Sequence, residues 1–315
     1  MAMRKLAKMA SPKLSLGPIM FNWPAEKWRD FYFRIADEAA VDSVCIGEVV
    51  CSKRVSFVEP HLPEVIERLQ AAGKEVVLST LALVMTDREM GQIRATTQGD
   101  DFLVEANDVS TASLLAGRPH VIGPLVNVYN EGTLEFFARQ GAKRICLPVE
   151  LAASTLSVLA GKAERIGQEI EVIVFGRLPL AVSARCYHAR AHSLHKDGCE
   201  FVCTEDPDGM ELETLDGKPF LAVNGTQTLS YSCCNLLAEI EDMRDMGIGR
   251  FRLSPQDVDM VSVAQIFRDV IDQRLEISQA GVRLEQLARD FTFSNGYFYG
   301  AEGHKMVAHQ PHDPG

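Results

Sequence analysis

The stretch SVCIGEVVCSKRVSFVEPHLPEVIERLQAAGKEVVLST, residues 43–80, contains one complete repeat of the pattern that decides the fold. A short run rich in β-branched residues, SVCIG (43–47), precedes a segment of helical period, LPEVIERLQAAG (62–73), and a second short run, EVVLST (75–80), follows it. The helical segment carries Pro63 in its first turn and ends on a glycine, where a C-cap belongs. The stretch therefore predicts two parallel strands joined by a crossover helix.

The same alternation runs along the chain and gives about eight units of strand and helix. The predicted strands are LSLGPIMF (14–21), SVCIG (43–47), EVVLST (75–80), FLVEA (102–106), HVIGPLVNV (120–128), RICLPV (144–149), EVIVFG (171–176) and RFRLS (250–254). Eight such units favour an α/β fold of the (β/α)8 type, a TIM-barrel-like architecture. The alternative is an open doubly wound sheet, but no G-x-G-x-x-G follows the first strand and no phosphate loop is present.

One segment is too long for an ordinary connection. After the seventh strand comes an insertion of about residues 181–235 that is rich in Cys, His, Gly and charged residues and is predicted to be irregular. Loops that leave the C-terminal ends of barrel strands build active sites, so this insertion is expected to be functional. The expected organisation is a flexible N-terminus (1–13), a single barrel-like domain (14–300) and a disordered tail (301–315).

Composition excludes several classes of protein. The chain of 315 residues carries a net charge of -11, which would repel a phosphate backbone, so nucleic acid is not an expected partner. No stretch has the length and apolar character of a signal peptide or a transmembrane segment, which predicts a soluble, cytoplasmic protein. The eight cysteines are then expected to be reduced and to serve in metal binding, redox chemistry or packing.

Three of these cysteines lie close together in the insertion. The segment ARCYHARAHSLHKDGCEFVC (184–203) holds Cys186, Cys199 and Cys203, and a fourth ligand would have to come from elsewhere. Cys45 on the second strand and Cys51 just beyond it are both candidates, and spacing alone does not choose between them. Four thiolates suit either tetrahedral zinc or an iron-sulfur cluster, and one remote cysteine with three from a long loop favours the cluster.

The remaining cysteines and the histidines of the insertion are expected to have supporting roles. Cys146 is predicted to pack in a strand, and the pair Cys233–Cys234 to begin an apolar helix, CCNLLAEIEDM. His188, His192 and His195 have spacing that would place them on one face of a helix, but no H-E-x-x-H accompanies them. A solvated or supporting role is favoured over direct ligation because softer ligands stand beside them.

Polar residues at or after the predicted strand ends form a further set of candidates, because barrel sites gather there. Each could serve a salt bridge or a turn instead, and the two arginines that flank the cysteine loop, at 177 and 185, rank highest. The set comprises Glu48, Lys53, Arg54, Glu105, Asn107, Asp108, Arg177 and Arg185.

The segment FGRLPLAVSARC (175–186), followed by Cys199 and Cys203, resembles the signature of the collagenase-like peptidase family. Further blocks extend the resemblance over about residues 14–257, and together they are similar to the branch of this family that serves oxygen-independent ubiquinone biosynthesis. These blocks are SLGPIMFNWP, IGEVVCSKR, VVLSTLALV, FLVEANDV, LPVEL, NGTQTLS and RLSPQ.

The resemblance implies a barrel-like protein that holds a [4Fe-4S] cluster on four cysteines. The matching positions are Cys45, Cys186, Cys199 and Cys203, with Cys51 outside the ligand set. It further implies a heterodimer with a homologous partner, in which the pair hydroxylates ubiquinone precursors without O2 and prephenate is the proposed oxygen donor. No catalytic residue is assigned, and whether this chain itself turns over stays open.

Two alternatives remain at this point. In one, the chain is a non-catalytic subunit whose cluster is purely structural and staples the insertion to the second strand. In the other, it is a zinc-stapled hydrolase or peptidase-like protein. The peptidase reading is disfavoured because the sequence offers no clear nucleophile-base pair, and a metal-bound thiolate cannot also act as a nucleophile.

Overall fold

A computed structural model describes residues 11–309. Eight parallel strands form its central sheet, numbered here in chain order: β1 (Lys13–Leu16), β2 (Ser43–Ile46), β3 (Glu75–Ser79), β4 (Leu103–Ala106), β5 (His120–Ile122), β6 (Ala142–Cys146), β7 (Glu169–Val182) and, after three intervening strands, β11 (Arg250–Leu253). Each strand pairs with the next, and β11 pairs with both β7 and β1, which closes the sheet into a barrel. The predicted (β/α)8, TIM-barrel-like fold is confirmed.

Most of the helices follow a barrel strand and cover the outer side of the sheet, and one short helix, Tyr187–Ala191, lies in the insertion after β7. They are α1 (Ala25–Glu38), α2 (Val55–Val58), α3 (Leu62–Ala71), α4 (Asp87–Gln98), α5 (Val109–Leu114), α6 (Glu131–Arg139), α7 (Ala153–Ile166), α8 (Tyr187–Ala191), α9 (Ile240–Asp245), α10 (Met260–Ile271) and α11 (Ile277–Leu287). Several begin on side-chain caps: Thr86 and Glu89 form a capping box for α4, and Asp108 caps α5. The core therefore lies between this helical layer and the barrel wall.

The insertion after β7 is more regular than its composition predicts. Strand β7 continues past the barrel rim, and three antiparallel strands follow it: β8 (Met210–Glu213), β9 (Pro219–Asn224) and β10 (Gln227–Asn235). A short strand, β12 (Phe293–Ser294), pairs with the end of β10. Cys233 and Cys234 lie on β10, where the sequence predicted a helix, because they pair with β7 and β12, and the following helix begins only at Ile240.

The inside of the barrel holds charged residues rather than a purely apolar filling. Arg252 of β11 is 2 % exposed and bonds the carboxylates of Glu105 and Glu171, the latter from Nε at 2.8 Å. Burial alone would raise the pKa of Glu171, but the guanidinium groups of Arg252, Arg144 and Arg250 outweigh it and lower this pKa to about 2. The interior carboxylate is thus ionised and held by cations.

The two ends of the chain are only partly described. Residues 1–10 and 310–315, which hold most of the predicted flexible N-terminus and part of the predicted tail, lie outside the described residues. Residues 301–309 make contacts with the body of the protein: the Val307 N–H donates to Asn295 Oδ1 at 2.7 Å, and the Asn295 N–H donates to the Lys305 carbonyl at 3.0 Å. Within residues 11–309, no helix combines the length and apolar character that crossing a bilayer requires.

Candidate metal centre

Cys51 reaches the C-terminal rim of the barrel through a tight turn after β2. Gly47 begins this turn at φ +136°, and a Cβ there would lie 2.4 Å from the Ser79 carbonyl oxygen, so only glycine fits. The Glu48 carboxylate then accepts the N–H groups of Val50 and Cys51 at 2.8 and 2.9 Å. The local sequence GEVVC therefore fixes Cys51 beyond the strand end, where barrel sites are built.

The insertion supplies three more thiols from short helical turns. Cys186 is the N-cap of α8, and its sulfur accepts the Ala189 N–H at 3.4 Å. Cys199 follows a 3-10 turn over Lys196–Gly198. Cys203 lies in a second 3-10 turn, and its sulfur accepts the Nδ2–H of Asn22 at 3.3 Å. These turns let three cysteines within eighteen residues face a common space.

Four thiols line one cavity, and they belong to Cys51, Cys186, Cys199 and Cys203. The family resemblance places Cys45 with the three loop cysteines, and the structure corrects this prediction. Cys45 lies in the middle of β2, is fully buried, and packs inside the barrel, where its sulfur is 3.9 Å from Glu105 Oε2. The thiol that completes the group is that of Cys51.

A buried arginine stands against the thiols. Arg54 is 2 % exposed, donates from Nη1 to the Met20 carbonyl at 3.0 Å and from Nη2 to Asn224 Oδ1 at 2.9 Å, and lies beside the Cys203 thiol. Gly225, at φ +64°, makes room for it: a Cβ at Gly225 would lie 2.6 Å from Arg54 Nη2. The site thus combines soft ligands with a fixed positive charge.

The donor set fits a metal centre better than a reactive cysteine. Four sulfurs, two N–H groups directed at sulfur and one guanidinium suit an anionic thiolate-bound group, either an iron-sulfur cluster or zinc. Burial raises the pKa of the Cys51 and Cys186 thiols, so a cation that binds these sulfurs must displace their protons.

Two histidines of the insertion form a group beside the thiols. His188 lines the same cavity, is fully buried, and places Nε2 2.8 Å from Asp206 Oδ2, while its ring stacks on that of His192 at 5.6 Å between centroids. The nitrogens and carboxylate of His188, His192 and Asp206 lie within 4.8 Å of one another, close enough to hold a metal ion themselves. His195 does not belong to this group.

The other polar residues predicted for the site have mixed outcomes. Arg54 is at the site, Glu48 holds its turn, and the Lys53 ammonium donates to the Lys196 carbonyl in the cysteine loop. The rest serve elsewhere: Glu105 and Asn107 in the barrel, Asp108 as a helix cap, Arg177 paired with Asp208, and Arg185 exposed. Sequence reasoning missed Asn22, Asn224, Gly225 and Asp206 as site residues. The first three stand in the blocks SLGPIMFNWP and NGTQTLS that carry the family resemblance, whereas Asp206 stands in none of these blocks.

The closed parallel sheet and the thiols at its C-terminal rim define a (β/α)8 barrel protein with a cysteine-rich site on the face where such barrels carry function. The chain belongs to peptidase family U32, whose family model matches residues 31–308. This agrees with the family resemblance drawn from the sequence motifs.

Solved structures similar to this chain are barrel enzymes of low sequence identity. Dihydropteroate synthase from Thermus thermophilus is 12 % identical with a TM-score of 0.42, over 85 % of this chain and 96 % of that one. The tryptophan synthase alpha subunit from Campylobacter jejuni is 9 % identical with a TM-score of 0.40, over 89 % of this chain and 100 % of that one. The fold assignment rests on the strand pairing of this chain itself.

Proposed function

We propose that this protein carries a [4Fe-4S] cluster on Cys51, Cys186, Cys199 and Cys203 and serves the oxygen-independent hydroxylation of ubiquinone precursors. The observation that carries the proposal is the convergence of four thiols from two distant segments on one cavity at the C-terminal rim. Together with the sequence blocks similar to UbiV, it favours a UbiV-like subunit. Its expected partner is a homologous, UbiU-like chain.

The residues around the thiols have definite parts in this proposal. Arg54 would offset the negative charge of a thiolate-bound cluster, and the N–H donors of Asn22 and Ala189 would bond ligand sulfurs. The cluster, when bound, supplies electron transfer or activation of an oxygen donor such as prephenate. The half-buried cysteine loop leaves one side of the site open, which a partner subunit could cover.

The first experiment is anaerobic purification with quantification of iron and acid-labile sulfide and a visible absorption spectrum. About four irons per chain and a brown chromophore are expected for a cluster on four thiolates. If the purified protein contains one zinc per chain and no sulfide, the four thiols hold a structural zinc ion, and the proposed redox role is wrong. A cluster without any reversible redox response would assign it a structural role, with the chemistry on the partner.

The second experiment tests the pathway separately from the metal. A strain that lacks this chain should make ubiquinone normally in air and fail to make it without oxygen, since O2-dependent hydroxylases act only in the first condition. Copurification should recover the homologous partner, and loss of the cysteine ligands should reproduce the deletion. Normal anaerobic ubiquinone in the deletion strain would reject the pathway and leave the metal site to be judged by its own analysis.

A further inference from the structure

A second set of metal-binding atoms lies in the insertion and contains no sulfur. One ring nitrogen each of His188 and His192 and one carboxylate oxygen of Asp206 lie within 4.8 Å of one another, and these residues are called the His-His-Asp group below. Among the described residues, no thiol belongs to this group, although His188 also lines the thiol cavity. Imidazole nitrogens with a carboxylate are a donor set that zinc and other first-row divalent ions bind.

The local structure brings the three side chains together from two segments. His188 lies in α8 and His192 caps the end of that helix, so their four-residue spacing puts both rings on one side of it. The two ring planes are 7° apart. Asp206 comes from a different segment, shortly after the 3-10 turn Val202–Thr204. A cation held by all three would therefore join α8 to the segment that follows this turn.

The distances in the group suit a single ion. Two atoms that bind one zinc ion at about 2.0–2.1 Å each lie roughly 3.3 Å apart in tetrahedral geometry. His188 Nε2 and Asp206 Oδ2 are 2.8 Å apart, so a small separation of these two atoms would admit the ion. His188 is fully buried and held in place, whereas His192 is exposed and its ring can turn toward the ion.

His188 has unused bonding capacity although it is buried. Its ring lies beside the Val223 backbone and near Asp206, but neither contact has the direction of a hydrogen bond, so both ring nitrogens lack a partner. A buried polar atom without a partner costs about 1–3 kcal/mol, which makes a missing group the natural explanation. Within residues 11–309, no Lys or Arg side chain pairs with the Asp206 carboxylate. A cation between imidazole and carboxylate would satisfy both.

We propose that His188, His192 and Asp206 bind one zinc ion at a site distinct from the four thiols. Calcium and magnesium are excluded as the preferred ions because they take oxygen ligands. Three protein donors leave one position of a tetrahedral ion open to water, on the side where His192 and Asp206 reach solvent. The inference goes beyond the proposed function and does not require a cluster at the cysteines.

The zinc ion would stabilise the supports of two of the thiols. Cys186 begins α8, the helix that carries His188, and Cys203 lies three residues before Asp206. The ion would thus fix the two cysteine-bearing segments relative to each other without bonding to either sulfur.

The test is equilibrium dialysis of the anaerobically purified full chain against zinc, followed by measurement of zinc, iron and sulfide per chain. One zinc per chain is expected in addition to any cluster iron. His192→Ala and Asp206→Asn should each weaken zinc binding at least tenfold, because even the loss of an outer partner of a metal ligand typically costs about 10–100-fold. Both side chains reach solvent, so circular dichroism should show the fold retained and iron and sulfide should not change.

His195→Ala is the matched control, because His195 is also exposed and lies in the same loop but outside the His-His-Asp group. It should bind zinc as the parent does. Absence of zinc from the parent, or unchanged zinc binding in the His192 and Asp206 variants, would overturn the assignment. An equal loss in the His195 variant would also overturn it, since it would show adventitious binding by surface histidines.

A cysteine variant separates this site from zinc at the thiols. Cys51→Ser should keep the zinc ion, and the double variant Cys51→Ser/His192→Ala should lose it. Zinc that is lost from the Cys51 variant and kept by the His192 variant belongs to the thiols and would refute the proposal. Because these readouts count zinc and not iron, sulfide or ubiquinone, failure of this inference is distinct from failure of the proposed function.

Discussion

Arg54 donates from Nη1 to the carbonyl oxygen of Met20 at 3.0 Å, and this contact ties the cysteine site to the mouth of the barrel. The carbonyl also accepts from Asn224 Nδ2 at 2.5 Å. Met20 lies at the mouth of the barrel, and Arg54 lines the cavity with the four thiols. The segment that follows β1 is therefore held against the cysteine site.

Cys51→Ser should remove the metal centre, and Cys45→Ser should leave it in place. Cys51 lines the cavity with the three loop thiols, whereas Cys45 is enclosed inside the barrel. The measurement is iron and sulfide per chain after anaerobic purification of both variants. Iron retained in the Cys51 variant and lost in the Cys45 variant would restore the family-based ligand set of the sequence prediction.

Gly225→Ala should lower both metal content and stability. The substitution places a Cβ at φ +64°, which costs about 1–2 kcal/mol, and within 2.6 Å of Arg54 Nη2, so the guanidinium must move. Gly217→Ala is the matched control, since its φ is +73° but no atom lies within 4 Å of the added Cβ. In the control, the free energy of unfolding in urea should fall by about 1 kcal/mol without a change in iron content. Iron content should fall only in the Gly225→Ala protein. Equal iron in the two variants would count against a role for Arg54.

Asn22→Ala should lower the reduction potential of a bound cluster by roughly 40 mV, because the amide donates to the sulfur of Cys203 and such a bond stabilises the more negative reduced state by about 1 kcal/mol. Anaerobic redox titration followed by absorbance gives the midpoint. Thr204→Ala is the control, because that hydroxyl donates to the Phe201 carbonyl and not to sulfur. An unchanged midpoint in the Asn22 variant would show that this contact does not persist in the metal-bound protein.

Glu171→Gln should destabilise the barrel by about 3 kcal/mol at pH 7, because it leaves buried arginines short of a carboxylate. The folded-state pKa of Glu171 is lowered to about 2 from the ordinary 4.5, so its contribution is present above pH 4.5 and is lost as the pH falls toward 2. The variant should therefore lose less stability than the parent over that interval. Urea unfolding at several pH values tests this, with the exposed Glu64→Gln expected to change stability by less than about 0.5 kcal/mol.

The barrel could be predicted from the sequence because each unit repeats the same two periodicities. The strand predictions in residues 43–47, 75–80 and 102–106 overlap β2, β3 and β4 closely. The insertion was harder, since β10 is held by pairing with β7, β9 pairs with β10, and β8, which pairs with β9, is short and mostly exposed. Cys233 and Cys234 lie in β10 because they pair with β7 and β12, although the apolar run after them predicts a helix.

The sequence contained a physical reason to choose Cys51 over Cys45 as the fourth ligand, but the family resemblance favoured Cys45. Cys45 stands between valine and isoleucine in the middle of a strand, a position typical of packing. Cys51 follows the strand end, where barrel loops build sites. Asn22 stands in a block that carries the family resemblance, but its role depends on a contact with Cys203 far away in sequence, and Asp206 carried no signal of its own.

Cys51 precedes Cys186 by 135 positions, and the two can meet only after the strands between them have docked around the barrel. During synthesis on the ribosome, the first thiol therefore emerges long before its three companions exist. Of the four thiols that line the cavity, an incomplete chain that ends before Cys186 offers only one. A metal centre on these four thiols would therefore require the scaffold to fold before the inorganic group is delivered.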